Sequence, residues 1–242
     1  IVSLLSQQYI VYEASNGKEG LKEAVEQIPD LIVSDVMMPR MNGYKLCKTI
    51  KENINISHIP VILLTARDDR QSQISGYKNG ADGYLSKPFE VEMLMELIRN
   101  RLKNREYTKK RYLNAGLIPT PEESTISLTD ETFLIKLNSI IQENIENSNL
   151  GIQFICQEVG LGRSSLYNKL KALTGMGANE YISKLRIEKA ITLISGTDMP
   201  FSEIAEKTGF TTPSYFSTAF KQYTGETPSQ YKERKKKGLA GK

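Results

Sequence analysis

The sequence holds no tryptophan, one histidine and two cysteines among 242 residues. Each scarcity closes off a class of chemistry. Cys47 and Cys156 lie far apart in segments of helical periodicity. They have neither metal-ligand spacing nor the density of a disulfide scaffold, which points to a reducing, cytoplasmic setting. His58 sits just ahead of an apolar run with no obvious partner, so it offers little to a metal centre or to acid–base work. No apolar run approaches the roughly 18 residues of a membrane helix and no signal peptide is visible, so no membrane contact is expected in this segment. A hydrophobic share of 39% with 25% charged residues describes a globular chain of a length that suits two domains.

Net charge is also small, +4, but it is unevenly placed. Residues 1–103 hold thirteen Lys/Arg against thirteen Asp/Glu, a balance of zero. Residues 132–242 hold fifteen against ten, giving +5 and ending in the basic run Lys235-Lys236-Lys237. An excess of this size suits a solvated surface as well as a polyanionic partner such as DNA, so pattern has to decide.

The first hundred residues alternate strand-like and helical runs. Strands are expected at Tyr9–Glu13, Leu31–Ser34, Pro60–Leu64 and Tyr84–Leu85, and helices at Gly17–Gln27, Gly43–Asn53, Arg70–Asn79 and Val91–Lys103. Strands spaced by helices of this length imply a parallel sheet covered on both faces. Residues 106–131, with Lys109-Lys110-Arg111 and then Pro119-Thr120-Pro121, read as a linker; residues 132–242 show helical patterns alone.

Asp35 follows the buried run Leu31–Ser34, Thr65 ends the run Val61–Leu64, and Lys87 ends the next strand. A lone Asp after a strand commonly caps a helix. Here an acid, a hydroxyl and an ammonium converge on the carboxyl edge of one sheet, where open α/β folds place their ligands. The stretches Asp35-Val-Met-Met-Pro39-Arg-Met-Asn-Gly43, Pro60-Val-Ile-Leu-Leu-Thr65-Ala66 and Gly80-Ala-Asp-Gly-Tyr84-Leu-Ser-Lys87-Pro88-Phe89 resemble the receiver domain of response regulators over residues 1–105. The spacings of thirty residues from Asp to Thr and twenty-two from Thr to Lys fit that family.

The resemblance implies a flavodoxin-like α/β fold in which Asp35 accepts a phosphoryl group from a histidine kinase. Thr65, Ala66 and Lys87 would hold the phosphoryl oxygens, and Tyr84 would rotate as a switch. Mg2+ would bridge Asp35 and the Met37 backbone carbonyl. The family's first strand and its two metal-binding acids have no counterpart here, because Ile1 already lies in what reads as the first helix. The expectation is therefore a piece of a longer protein that binds Mg2+ poorly as it stands. Haloacid-dehalogenase-like phosphatases also use an aspartyl nucleophile at a strand end, but they need a second Asp where this sequence has Met37. A receiver without phosphotransfer, acting only as a dimerisation module, is the other alternative.

The second half repeats itself. Ile155-Cys-Gln-Glu-Val-Gly160-Leu161 matches Ile204-Ala-Glu-Lys-Thr-Gly209-Phe210 at an offset of 49, and Leu166, Leu170, Thr174-Gly175 and Tyr181 match Phe216, Phe220, Thr224-Gly225 and Tyr231 at an offset of 50. Each copy reads as a helix-turn-helix with glycine at the turn and a small residue, Cys156 or Ala205, where the helices cross. The pattern Ile204-Ala205-x3-Gly209-Phe210-x4-Tyr215-Phe216-x3-Phe220-Lys221-x2-Thr224-Gly225-x2-Pro228-x2-Tyr231 resembles AraC-type DNA-binding domains over about residues 132–236. In that family a long helix, here Ala178–Ile194, joins the two units, so that their second helices enter neighbouring major-groove segments.

The resemblance places Arg163, Ser164, Tyr167 and Asn168 at bases in the first unit, and Thr212, Ser214, Tyr215, Ser217 and Thr218 in the second. Lys169, Lys171, Lys184, Arg186, Lys189, Lys221 and Lys232 are the phosphate-contact candidates, whereas Leu166, Leu170, Ile187, Phe216 and Phe220 belong to the core. Asn168 could pair bidentately with adenine, and Tyr and Thr could meet thymine methyls. The implied protein is a phosphorylation-regulated, sequence-specific transcription regulator of a two-component system. It is not itself an enzyme; it acts as a homodimer with double-stranded DNA and with RNA polymerase as a further partner. A variant makes the chain the output end of a hybrid histidine kinase.

Overall fold

The computed structural model describes residues 1–66, 80–114 and 127–239. The expected helix Arg70–Asn79 lies outside them. The chain divides into two compact units, the first built on Ile1–Tyr112 and the second on Leu134–Lys171 together with the residues from Gly175 onward.

The first unit runs α1 (Val2–Leu5), α2 (Gly17–Gln27), β1 (Ile32–Asp35), α3 (Gly43–Glu52), β2 (Val61–Thr65), β3 (Gly83–Ser86) and α4 (Val91–Asn114). The three strands form a parallel sheet in the order β1-β2-β3. All five residues of β2 are buried, as a central strand covered on both faces requires. Val61 and Leu63 face a core with Leu46, Cys47 and Ile50 of α3. Ile62 and Leu64 face the opposite core with Leu94 and Ile98 of α4. Asn16 caps α2 by accepting from the Lys18 and Glu19 amides, and Asn42 caps α3 through Lys45.

Two expectations are corrected here. Tyr9–Glu13 forms no strand, and Ile10 is 86% exposed. A strand gains its hydrogen bonds from a neighbour, and no described residue pairs with this segment. The linker also starts later than expected, because α4 continues unbroken to Asn114. No glycine or proline interrupts residues 104–114, and Arg105 secures them by donating to the Asp30 carbonyl at 3.0 Å.

The remaining helices are α5 (Leu128–Glu143), α6 (Ile152–Val159), α7 (Arg163–Thr174), α8 (Ala178–Gly196), α9 (Phe201–Lys207), α10 (Pro213–Thr224) and α11 (Pro228–Leu239). α5 begins four residues before the expected boundary at 132, because Ser127 caps it, its hydroxyl accepting from the Asp130 amide at 3.2 Å. The helix-turn-helix pairs α6–α7 and α9–α10 appear where the repeat places them. Their turn glycines, Gly160 and Gly209, share φ +72°, a left-handed conformation that side chains rarely adopt. Ile187, Ala190 and Ile194 of α8 pack with Ala205, Phe216, Phe220 and Tyr231 in one core. Leu166, Leu170 and Ile187 are buried as expected. No described helix is long and apolar enough to cross a membrane.

Candidate functional site

The parallel register pairs Asp35 with Leu64 and Thr65 with Ser86, which sets Asp35, Thr65 and the start of Lys87 at one carboxyl edge. Lys87 Nζ donates to Asp35 Oδ2 as an ion pair, and the Met37 amide donates to Oδ1 at 3.0 Å. Both carboxylate oxygens are thus oriented. The two side chains remain 33% and 39% exposed, open to an incoming group. Thr65 is buried, and its carbonyl accepts the Lys87 amide at 2.6 Å, tying β2 to the residue that follows β3. Ala66 next to it is exposed.

Gly43 makes this edge fit together. A Cβ there would stand 2.3 Å from the Asp35 carbonyl oxygen, so only glycine lets α3 begin this close behind the acid. Tyr84 is half-buried, and its hydroxyl lies 3.2 Å from that of Tyr44 on α3, one donating to the other. Tyr44 was not anticipated; its place one residue after Gly43 was the available signal.

Among the described residues no cluster of three His, Cys, Asp or Glu side chains stands ready for a metal. Asp35 and the Met37 carbonyl are two oxygen donors, and Asp35 already holds Lys87. Magnesium takes octahedral oxygen coordination, so these residues alone do not make a site for it. What they do offer is a carboxylate nucleophile with an ammonium positioned to take up charge on an arriving oxyanion.

The second place that gathers chemistry is the outer face of α7 and α10. Arg163, Ser164 and Lys171 are exposed, Tyr167 is 53% exposed, and Asn168 is half-buried. On α10, Thr212, Ser214, Thr218 and Lys221 are exposed, Tyr215 is 54% exposed, and Ser217 is half-buried. Gln222, also exposed, was missed; it lies one turn beyond Thr218 on the same face. The Tyr215 ring is held edge-on by Phe210, with centroids 5.7 Å apart.

Three proposed phosphate contacts are corrected. Lys169 is fully buried. It shares an inward stripe with Leu166, Leu170 and Leu173 at helical spacing, and its counterpart in the second copy is the buried Ala219. Arg186 is buried too: it donates to the Asn147 carbonyl at 2.7 Å and lies 5.9 Å over the Phe210 ring. Burial lowers its pKa. Lys184 is buried 3.8 Å from Glu188, and burial lowers the lysine's pKa and raises the glutamate's. Lys189 and Lys232 are half-buried, paired with Glu146 at 3.3 Å and Asp198 at 3.2 Å.

The family model of the response regulator receiver domain matches residues 1–99, and that of a helix-turn-helix domain matches residues 155–234. Over 234 residues, 97% of this chain, there is 43% identity to histidine kinase P4 of Formosa agariphila, but the match spans only 17% of that kinase. The probable transcriptional regulator ycf29 of Pyropia yezoensis is 32% identical over 73% of this chain and 85% of its own length. Among solved structures, the C-terminal domain of AraT, a response regulator from Geobacillus stearothermophilus, is similar at 31% identity, covering 42% of this chain and 84% of that one with a TM-score of 0.40.

Proposed function

The chain belongs to the response regulators, with a receiver followed by an AraC-type helix-turn-helix domain, and from this we infer a transcription regulator whose DNA binding is governed by phosphorylation of Asp35. The observation that carries the inference is the Asp35–Lys87 pair at the sheet edge, in one polypeptide with two tandem helix-turn-helix units. An Asp35 oxygen attacks the phosphorus of a phosphohistidine, the P–N bond breaks, and an acyl phosphate forms. Lys87, released from the free carboxylate, neutralises a phosphoryl oxygen, and Thr65 donates a hydrogen bond to another. The modification adds about −1.5 to −2 charges at this edge. That shifts the population of receiver states, with Tyr84 moving in response, toward homodimers that hold two DNA-binding domains at paired half-sites.

The partners in this reading are double-stranded DNA, a phosphodonor histidine kinase and, at the promoter, RNA polymerase. The setting is the cytoplasm, where the buried thiols of Cys47 and Cys156 stay reduced. Near-complete alignment with a short part of a histidine kinase supports a second form of the same reading, in which kinase and output share one polypeptide. The test is phosphorylation of the full-length protein by a small-molecule phosphodonor, followed by mapping of the hydroxylamine-labile phosphate. Label on Asp35 that disappears in Asp35→Asn is the expected result; label elsewhere, or none, overturns it.

A further inference from the structure

The two helix-turn-helix units share a backbone but offer DNA different chemistry. In the first, the outer face of α7 carries exposed Arg163 at its start, half-buried Asn168 in its second turn and exposed Lys171 beyond, all side chains that can donate hydrogen bonds to bases or phosphates, beside the exposed Tyr167. In the second, the first two turns of α10 carry no Arg, Lys, Asn or Gln; Lys221 and Gln222 come only in its last turns. The base edges are read from the N-terminal part of such a helix.

Two of the hydroxyls at the start of α10 bond its own backbone. Thr212 Oγ1 accepts the Tyr215 amide at 3.2 Å as the N-cap. Thr218 Oγ1 donates to the Ser214 carbonyl at 3.1 Å. With its oxygen turned back onto the helix, exposed Thr218 presents its methyl outward. Beside it stands the Tyr215 ring, held by Phe210. The outward surface at the start of α10 therefore offers a methyl and an aromatic ring, with hydroxyls on Ser214, Tyr215 and the half-buried Ser217 and no amide or cationic side chain.

We propose that the second unit recognises A·T pairs by apolar contact of Thr218 and Tyr215 with thymine 5-methyl groups, while the first unit supplies hydrogen-bonded readout through Asn168. The major groove displays a methyl only at thymine, so a helix poor in donors can still discriminate there. Guanine, which is read best by bidentate Arg or Lys, has no partner in the first two turns of α10. The proposal rests on the DNA-binding reading above and assigns its two half-sites unequal chemistry.

The test starts with selection of bound duplexes from a random library by the 242-residue chain. Thymines of the selected site are then replaced one at a time by deoxyuridine, which removes the 5-methyl and leaves the pairing edge intact. Affinity falls about four-fold at each methyl contacted by the second unit, the size of one buried carbon, and is unchanged at the base pair that Asn168→Ala relaxes. Thr218→Ser, which keeps the hydroxyl and loses the methyl, abolishes the effect at one thymine, and Thr218→Val preserves it. Specific binding with no deoxyuridine effect at any position overturns the proposal, as does guanine selected opposite Thr218 or an unaltered effect in Thr218→Ser. Failure to select any sequence overturns the DNA-binding reading itself, and this proposal with it.

Discussion

The guanidinium of Arg186 holds three segments of the second unit together: its own helix α8, the Asn147 carbonyl after α5, and the Phe210 ring beyond the turn of α9–α10. A hydrogen bond from a charged donor contributes about 1.5–3 kcal/mol, so Arg186→Met should lower unfolding free energy by that amount in urea titration. Its position was legible as basic, but its burial was not. That burial depends on which face of α8 meets the Gly209 turn, where a Cβ would come 2.9 Å from the guanidinium. For Lys169 the signal was present in the spacing with Leu166 and Leu170, and its positive charge masked it.

Cys47 gives a prediction with a defined pH window. Burial pushes its thiol up to about 12 from an ordinary value of 9.0. The unfolded chain therefore ionises this group first, and its contribution to stability is complete below pH 9 and lost as pH rises toward 12. The loss approaches about 1.4 kcal/mol per pH unit. Denaturant midpoints measured from pH 8 to 11 should fall less steeply in Cys47→Ala than in the parent chain.

At the scale of elements, the two copies of the helix-turn-helix differ in their caps. Thr212 caps α10 with its side chain, followed by Pro213, whereas Gly162 stands at the start of α7 with no side chain to offer. Thr212→Ala should cost about 1 kcal/mol. Gly162→Ser should add a few tenths of a kcal/mol, because Gly162 has extended backbone and nothing lies within 4 Å of its missing Cβ. Thermal midpoints of the two variants, moving in opposite directions, check both.

Most of the second unit was legible because its signals are local: turn glycines, a threonine–proline helix start and apolar residues at helical spacing. The parallel strands were legible as short apolar runs at Leu31–Ser34, Pro60–Leu64 and Tyr84–Leu85, and β1, β2 and β3 each run on by one residue, to Asp35, Thr65 and Ser86. Tyr9–Glu13 reads as a strand because it is a short apolar run, yet a strand exists only as part of a ladder, and an apolar run says nothing about the partner. The end of α4 was misjudged for the opposite reason. Charged residues such as Lys109 and Glu106, 2.6 Å apart, support an exposed helix as well as they suit a linker.

For the molecule as a whole, the proposed function makes a phosphoryl group on Asp35 the control of DNA affinity. Correction of the basic set leaves Lys171 and Lys221 exposed and Lys189 and Lys232 to be drawn from their acidic partners. Four phosphate contacts would give a log–log slope of affinity against salt of about −3.6. Anisotropy titrations across a salt series measure it; a slope near zero on specific DNA would remove the phosphate backbone from the interface.

The most direct measurement is the affinity of the full-length protein for its selected operator, with and without a phosphodonor, in the parent and in Asp35→Asn. The account predicts that phosphorylation tightens binding in the parent and leaves Asp35→Asn unchanged. Equal affinities in all four conditions would contradict it.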